Sequence, residues 1–371
     1  MPALAILVAL VVLSMPYVRR RVYEAFYYTH ILLAIAYLGL LFWHAGNILD
    51  SWAYLWATLA LWLASWLARL FWYTKLMNLQ HEWFSGSPTS VVRMAGGMTK
   101  LQVLAPIHFK YTPGQHCFLR FPELSIMDNH PFTLASAPAA TRMEDNCLTF
   151  LVRTHAGFTR RLASYCQLHP DQQLSAWVDG PYGGIGRRLE LLYDELILIA
   201  GGSGITACLP WLEQAVRVKQ ARVRRIVLLW SVKSEDHLSW IQEYLSSVLA
   251  AARHDTMIEL RFHVTRGDSA DRIIPDGEID SETKAPVTTE SSYSQNADKP
   301  ISMIELGHPE FGRPKLEHFI PDSIRGPKTF VIGCGPEDMR IDLSNAVATA
   351  QSKVIRGGVL EVGLRLEAFN S

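Results

Sequence analysis

The stretch His130-Pro131-Phe132-Thr133-Leu134-Ala135-Ser136 decides how the rest of this sequence is interpreted. It places an aromatic side chain, a hydroxyl and several main-chain amides in a row. An isoalloxazine ring needs hydrogen-bond partners along its N5 and carbonyl edge and an apolar side chain over its face. The stretch therefore predicts the floor of a flavin site. A His-Pro turn that leads into an ordinary β-strand is the alternative, and the heptad alone does not decide between them.

The composition divides the chain in two. The 371 residues include 35 basic and 35 acidic side chains, a balance that gives no reason to expect nucleic acid as a partner. Residues 1–75 are almost uncharged and contain six of the eleven tryptophans, whereas the remainder has the composition of a soluble α/β protein. All five cysteines lie in this second part, irregularly spaced and without a CxxC pair. The sequence therefore favours a membrane segment followed by domains in a reducing compartment, with neither a disulfide framework nor a zinc site.

Two segments, residues 22–45 and 48–73, exceed the roughly 20 apolar residues that a membrane-spanning helix needs. The opening run, residues 3–15, is too short to span the bilayer and lacks the features of a signal peptide, so we interpret it as the end of a helix that begins upstream. Three arginines at positions 19–21 precede the first span, Arg69 and Lys75 close the second, and no basic residue lies in the turn between the spans. By the positive-inside rule the soluble part is cytosolic.

His30 and His44 stand out in the first span, because ionisable side chains in a membrane are costly and usually functional. Fourteen residues at about 100° each bring both imidazoles to one face of the helix, about 21 Å apart along its axis. This spacing suits two stacked haems and predicts haem b as a cofactor, with His30 and His44 as metal ligands. A hydrogen-bonded His30 and a solvated His44 near the membrane surface are the alternative.

Short strands with turns between them predict a small β-barrel at residues 76–188. Strands are expected at residues 91–93, 101–104, 117–121 and 148–153. Gly157 then opens a helix, whose first amides would hold a pyrophosphate together with Arg153. A helix with a solvated basic first turn explains the same residues.

From residue 189 to 371 strands and helices alternate, which predicts an α/β domain. A buried strand at residues 196–200 runs into the segment 201–206, whose glycines let the backbone approach a diphosphate at a helix N-terminus. The next strand, residues 225–230, is followed by Ser231 and Lys233 instead of the acidic residue that grips the ribose of NAD. A hydroxyl and an ammonium favour a 2′-phosphate and hence NADPH, although two acidic residues follow at positions 235 and 236.

Later strands are expected at residues 258–265 and 329–332. The second ends in Gly333-Cys334-Gly335-Pro336, and a glycine-flanked cysteine at the carboxyl end of a strand lies where a nicotinamide would bind. A buried structural cysteine in a tight turn is the alternative. Residues 267–301 are acidic and without periodicity, which predicts a disordered surface insertion.

Taken in order, the motifs HPFTLAS, RTHAGFTRRL, DGPYGG, AGGSGIT, Gly312-Arg313-Pro314 and GCGP resemble those of the fungal ferric-chelate reductases, in the ferric reductase and NADPH oxidase superfamily. The resemblance runs from about Tyr17 to the C-terminus. It implies membrane α-helices at residues 1–75, then an FAD-binding antiparallel β-barrel and an α/β NADPH-binding domain, a ferredoxin reductase-like arrangement. It also implies a plasma-membrane location.

The resemblance further implies roles for individual residues. Thr133, Cys334 and Phe369 would be catalytic; the family ends in an aromatic residue that shields the flavin, and here Phe369 would have to do so with two residues after it. The cofactor-binding residues would be His130, Pro131, Phe132 and Thr133 for the flavin; Arg153, Gly157 and Thr159 for its phosphates; Gly201, Gly202, Ser203, Gly204, Ile205 and Thr206 for the NADPH diphosphate; Ser231, Lys233 and Arg313 for the adenosine end; and Cys334, Gly335 and Pro336 for the nicotinamide.

The activity to expect is NADPH-dependent reduction of an external ferric chelate, with hydride passing to flavin N5 and single electrons leaving through haem. A superoxide-forming oxidase and a truncated regulatory homologue are the alternatives, because the acceptor site lies outside these motifs. The family takes its other two haem histidines from an earlier helix, which this sequence lacks. Unless upstream helices or a neighbouring copy supply them, we expect the chain alone to bind FAD but not two haems.

Overall fold

A computed structural model of the chain describes residues 2–21, 23–68, 86–105, 109–125, 128–138, 147–169, 172–266 and 309–368, without the side chains of residues 19–24. The described residues fall into two compact units, one within residues 1–84 and the other within residues 85–370. The insertion expected at residues 267–301 and the aromatic residue Phe369 lie outside the described residues.

The N-terminal unit is helical. Its helices are α1 (Pro2–Leu13), α2 (Pro16–Arg21), α3 (Tyr23–Ala45) and α4 (Ser51–Ala68). Helices α1 and α4 both pack on α3. The indole Nε1 of Trp52 donates to the carbonyl of Phe42 at 3.0 Å, which ties the start of α4 to the end of α3.

One of the two expected membrane spans is borne out. Among the described residues, Ala25–Ala45 is long and apolar enough to cross a membrane, with a mean hydropathy of 1.7. Helix α4, with 18 residues, is long enough but is not among the described helices that are also apolar enough, and four tryptophans, a tyrosine and three hydroxyl side chains interrupt its leucines. The rest of the expected second span, residues 69–73, lies outside the described part. Helix α1 is apolar but has only 12 residues, as expected of a run too short to span.

The first sheet of the second unit curls into a barrel. Its strands are β1 (Ser87–Met94), β2 (Met98–Leu104), β3 (Gln115–Arg120), β4 (His130–Thr133), β5 (Cys147–Arg153) and β6 (Leu174–Gly183), in the antiparallel order β4-β3-β6-β1-β2-β5. The two edges meet where Ala135 N–H donates to the carbonyl of Thr149 at 2.8 Å. Helix α5 (Phe158–Leu168) inserts Phe158 into the barrel core.

The second sheet is parallel and covered on both faces. Its elements are α6 (Leu189–Leu192), β7 (Glu195–Gly201), α7 (Ile205–Arg217), β8 (Arg225–Val232), α8 (Gln242–Ala250), β9 (Met257–Val264), β10 (Glu310–Phe311), α9 (Leu316–Ser323), β11 (Lys328–Cys334), α10 (Glu337–Ile355) and β12 (Glu361–Glu367). The strand order is β10-β9-β8-β7-β11-β12. In β7, Leu196 and Leu198 join the core under α7, whereas Ile197 and Ile199 join the core under α10. The continuous apolar run is the pattern of a strand buried on both sides.

A buried ion cluster closes the amino edge of this sheet. Glu195 is 1% exposed and forms an ion pair with Arg225 of the next strand. Its other oxygen accepts from the Thr329 hydroxyl at 2.8 Å and from the main-chain N–H groups of residues 325 and 326 at 3.1 and 3.2 Å. The carboxylate is thus fully hydrogen-bonded, which is the condition under which a buried charge is tolerated.

Candidate flavin and nicotinamide site

The carboxyl ends of the parallel strands lie at one edge, and the strand order reverses between β7 and β11. Open α/β sheets bind their ligands at such a switch point. The predicted diphosphate segment, residues 201–206, follows β7, and the predicted nicotinamide segment, residues 334–336, follows β11. The fold therefore brings both segments to the same place.

The two segments touch through their main chains, and this contact requires glycine. A Cβ atom at Gly204 would lie 2.1 Å from the carbonyl oxygen of Cys334, and one at Gly201 would lie 2.8 Å from Cδ of Pro336. The buried Thr206 hydroxyl holds the turn by donating to the Ser203 carbonyl at 3.0 Å. Helix α7 starts at Ile205, so its first N–H groups are available to an anion at this edge. A cradle of this shape fits the diphosphate of a dinucleotide.

Cys334 is a buried, neutral thiol. Its side chain is 1% exposed, and burial raises the pKa of the thiol to about 12, with the Glu367 carboxylate acting in the same direction. A thiol in this state is a poor nucleophile. Cys334 can therefore shape the nicotinamide pocket, but thiolate chemistry there is disfavoured.

The residues predicted to hold the adenosine end lie on the other side of β7. Ser231 and Lys233 follow β8, and Arg313 follows the short strand β10. Lys233 and Arg313 are exposed, and neither forms an ion pair with a residue that the structure describes. Strands β8 and β10 flank β9 and lie about 10 Å apart, so the two cations belong to the same edge of the sheet. A phosphate bound between them would meet two unneutralised charges.

The flavin heptad begins as the edge strand β4, so the stretch is both a strand and a candidate flavin site. The His130 ring stacks on Phe158 of α5 with centroids 4.4 Å apart, and Phe132 lies on the same side, 6.4 Å from Phe158. Strand alternation directs Pro131 and Thr133 to the other face. A flat ring on either face therefore contacts only two of these four side chains and meets the others through the main chain.

The predicted phosphate corner lies where β5 leads into α5. Arg153 ends β5, and Gly157 caps α5 with φ +61°, a left-handed conformation that favours glycine. The Thr159 hydroxyl accepts from the His155 N–H at 2.9 Å and donates to the Ala156 carbonyl at 3.3 Å, so it shapes the loop. The Arg153 guanidinium forms no ion pair or hydrogen bond within the described ranges. A cation beside a helix N-terminus fits a pyrophosphate.

The structure adds two residues that the sequence did not single out. Glu367, at the end of β12, lies opposite Cys334 in the β11–β12 register. His116 of β3 lies opposite Thr133 of β4. Burial lowers the pKa of the His116 imidazole, and the Glu367 carboxylate opposes that shift, so the two groups sense each other. A carboxylate and an imidazole thus lie near both the predicted flavin and nicotinamide segments. Glu367 was not singled out from the sequence, because β12 was not predicted.

The two membrane histidines lie on the same helix, α3. His30 Nδ1 lies 3.4 Å from the Ser14 hydroxyl, which itself donates to the Leu10 carbonyl at 2.7 Å. This contact engages Nδ1 and leaves Nε2 as the nitrogen that could bind iron. His44 is exposed in the last turn of α3. The described residues contain no group of three or more potential ligands. A six-coordinate haem would need its opposite ligand from elsewhere.

An antiparallel barrel followed by a parallel α/β sheet with a dinucleotide cradle at its switch point defines a ferredoxin reductase-like flavoprotein. A solved structure of the Amycolatopsis cytochrome P450 reductase GcoB has the same fold, with a TM-score of 0.50 at 15% identity over 77% of this chain and 70% of that one.

Family models match in the same order along the chain. They are a ferric reductase like transmembrane component at residues 1–41, an FAD-binding domain at residues 84–185 and a ferric reductase NAD binding domain at residues 193–348. The chain therefore belongs to the ferric reductase family and has FAD- and NAD-binding domains.

Two curated fungal proteins are similar in sequence. The probable cell surface ferric reductase kap2 of Aspergillus oryzae is 33% identical over 66% of this chain and 33% of its own length. The ferric/cupric reductase transmembrane component 7 of Saccharomyces cerevisiae is 28% identical over 96% of this chain and 59% of its own. The chain thus spans between a third and three fifths of the length of these relatives. The similarity to them supports a membrane protein of this family.

Proposed function

We propose that the protein is an NADPH-dependent transmembrane ferric-chelate reductase of the plasma membrane. Its parts would be a membrane domain at residues 1–75, an FAD-binding barrel at residues 76–188 and an NADPH-binding domain at residues 189–371. The observation that carries the proposal is the main-chain contact between Gly204 and Cys334 at the switch point. That contact forms the cradle from which a bound dinucleotide would reach the flavin barrel.

NADPH would be the hydride donor. The amides that begin α7 would bind its diphosphate, and the charges of Lys233 and Arg313 would bind the 2′-phosphate, with the Ser231 hydroxyl beside them. The nicotinamide would lie against residues 334–336. The small, neutral Cys334 side chain leaves room there and keeps a negative charge away from the hydride.

The barrel residues would bind and orient FAD, which when bound accepts a hydride at N5 and gives up electrons one at a time. Arg153 and the first turn of α5 would hold its pyrophosphate. The Thr133 hydroxyl makes no hydrogen bond with the described residues, so it is free to bond the N5 edge. Phe132 packs toward Phe158 on the face opposite Thr133, so it would meet the ring through its main chain, and Phe369 is proposed to shield the ring.

The electrons would leave through the membrane domain toward a ferric chelate outside. His30 and His44 would each hold haem b from one side, and that group, when bound, carries single electrons. The arginines before the first span favour cytosolic FAD and NADPH domains.

The direct test is the detergent-solubilised chain loaded with FAD. NADPH should bleach the flavin and should exceed NADH in kcat/KM by at least about tenfold, since one charge-assisted contact is worth roughly 1.5–3 kcal/mol. Lys233→Ala and Arg313→Ala should each reduce that preference, whereas Lys219→Ala, which removes an exposed lysine outside the site, should not. Equal use of both nucleotides would contradict the 2′-phosphate assignment.

The acceptor is tested in membranes that contain the protein. A ferric chelate should be reduced at the expense of NADPH, with little oxygen uptake. Superoxide formation that a ferric chelate fails to suppress would instead identify an oxidase.

A further inference from the structure

Helix α7 carries a buried carboxylate that faces the barrel. Glu213 is 4% exposed and accepts from the Ala137 N–H at 2.7 Å and from the Tyr244 hydroxyl at 2.5 Å. Its second oxygen pairs with Arg217 at 2.9 Å. Three donors satisfy the carboxylate, and one of them is a main-chain amide of the barrel.

That amide belongs to the peptide that directly follows the flavin heptad. On its other side, the Ala137 carbonyl accepts from the Tyr111 hydroxyl at 2.7 Å. Tyr111 also lies 3.1 Å from the Ser136 hydroxyl, the last residue of the heptad. The end of the heptad is thus fixed from the barrel by Tyr111 and from the NADPH-binding domain by Glu213.

Helix α7 connects this anchor to the diphosphate cradle. It starts at Ile205 immediately after the cradle, and Glu213 lies eight residues further on, about 12 Å along the axis. The helix contains Pro210, which removes one main-chain hydrogen bond, but it is buried along nearly its whole length, so packing holds Glu213 at a fixed position relative to the cradle. The element whose start would bind NADPH therefore also bonds the segment that would hold the flavin.

We infer that Glu213 is a positioning residue, which sets the alignment of the nicotinamide with the flavin by anchoring the flavin segment to helix α7. The inference rests on the proposed function, because it assumes hydride transfer between the two sites. Removal of the carboxylate leaves the Ala137 N–H without its acceptor, whereas the Tyr244 hydroxyl keeps the Leu209 carbonyl at 3.0 Å, and the segment shifts to satisfy the amide. Hydride transfer is sensitive to such shifts, since a misplacement of 1 Å can cost about 100-fold in rate.

A second contact between barrel and NADPH-binding domain supplies a matched control. Lys100 of β2 pairs with Glu243 of α8 at 3.2 Å, but Glu243 is 91% exposed, and neither side chain hydrogen-bonds the described residues of the flavin heptad. An exposed pair of this kind contributes little to stability. Glu243→Ala therefore removes an interdomain carboxylate without disturbing the flavin segment.

The experiment is anaerobic stopped-flow reduction of the FAD-loaded full chain by NADPH, and by NADPH deuterated at nicotinamide C4. The variants are Glu213→Ala, Glu213→Gln, Tyr244→Phe and Glu243→Ala, with FAD content and thermal midpoint measured for each. We expect Glu213→Ala to keep FAD and an NADPH Kd within about threefold, but to lower the limiting rate per bound flavin by at least about tenfold, with a full deuterium isotope effect. Glu213→Gln, whose amide oxygen can still accept from Ala137, should restore most of the rate, and Glu243→Ala should match wild type.

A merely structural role predicts a lower midpoint and FAD content with an unchanged rate per bound flavin, and that result would overturn the inference. If Glu213→Ala does not fold, the other two variants decide. An intermediate loss of rate in Tyr244→Phe, together with a near-wild-type rate in Glu213→Gln, supports the inference. Unchanged rates in both variants refute the inference. If NADPH does not reduce the FAD of the wild-type protein, the proposed function is refuted instead.

Discussion

Substitution of Gly204 by alanine tests whether the contact between β7 and β11 builds the nucleotide cradle. The new Cβ would lie 2.1 Å from the Cys334 carbonyl oxygen, against 3.4–4 Å for an ordinary contact, so the two segments must separate by about 1.3 Å. Neither atom belongs to a flexible side chain. Overpacking of this kind costs about 1–3 kcal/mol, equivalent to about 5- to 150-fold in a binding constant if the nucleotide-bound form carries the cost.

The assay is NADPH titration of the FAD-loaded protein, followed by the rate of flavin reduction. We expect Gly204→Ala to retain FAD, because the phosphate corner at Arg153 is a different part of the fold, and to lose about tenfold or more in NADPH affinity. Gly186→Ala is the control, since a Cβ there has nothing within 4 Å. A folded Gly204→Ala protein with NADPH affinity and flavin-reduction rate within about twofold of wild type would refute the cradle.

Three further outcomes follow from other parts of the structure. Arg153→Ala should weaken FAD binding by about 10- to 150-fold, through loss of a charge-assisted contact worth about 1.5–3 kcal/mol, and stoichiometric FAD after gel filtration would contradict the pyrophosphate role. Glu195→Ala should lower the free energy of unfolding by about 1–3 kcal/mol in urea titration, while the NADPH preference of the folded protein stays unchanged, since it removes one of the two carboxylates that pair with Arg225 and leaves the main-chain N–H groups of residues 325 and 326 without their acceptor. Burial and then the Arg153 cation lower the pKa of His237 below its usual 6.5, so the unfolded chain binds this proton more tightly. The free energy of unfolding should therefore decrease as pH falls from 6.5 toward the lowered pKa, and His237→Gln should remove that part of the pH dependence.

The strands of the parallel sheet could be predicted because each carries its own local pattern. Residues 196–200 and 329–332 are continuous apolar runs followed by glycine, and the structure extends them only slightly, to Glu195–Gly201 and Lys328–Cys334. Such runs indicate strands buried on both faces. Residues 201–206 and 334–336 then approach each other, because they follow β7 and β11, which are neighbours at the point where the strand order reverses.

The contacts that align the two halves could not be predicted from the sequence. Glu213 meets Ala137 across 76 positions of sequence, and no local pattern distinguishes this glutamate from a solvated residue on an amphipathic helix. Glu367 was missed although β12 alternates apolar Val362, Leu364 and Leu366 with glycine and charged residues, the period-2 pattern that indicates a strand. The second membrane span stays a prediction, because α4 covers residues 51–68 of it and residues 69–73 lie outside the described part.

The two edges of the parallel sheet have opposite electrostatic character, and this difference separates stability from function. At the amino edge the charges of Glu195 and Arg225 are buried and paired with each other, so they offer no free charge to a ligand. At the carboxyl edge Lys233 and Arg313 are exposed, without ion-pair partners among the described residues, next to a helix N-terminus that also favours negative charge. An anion that reaches this edge gains attraction without displacing a protein carboxylate. Substitutions at the amino edge should consequently change unfolding and leave nucleotide selectivity intact, whereas those at the carboxyl edge should change selectivity in folded protein.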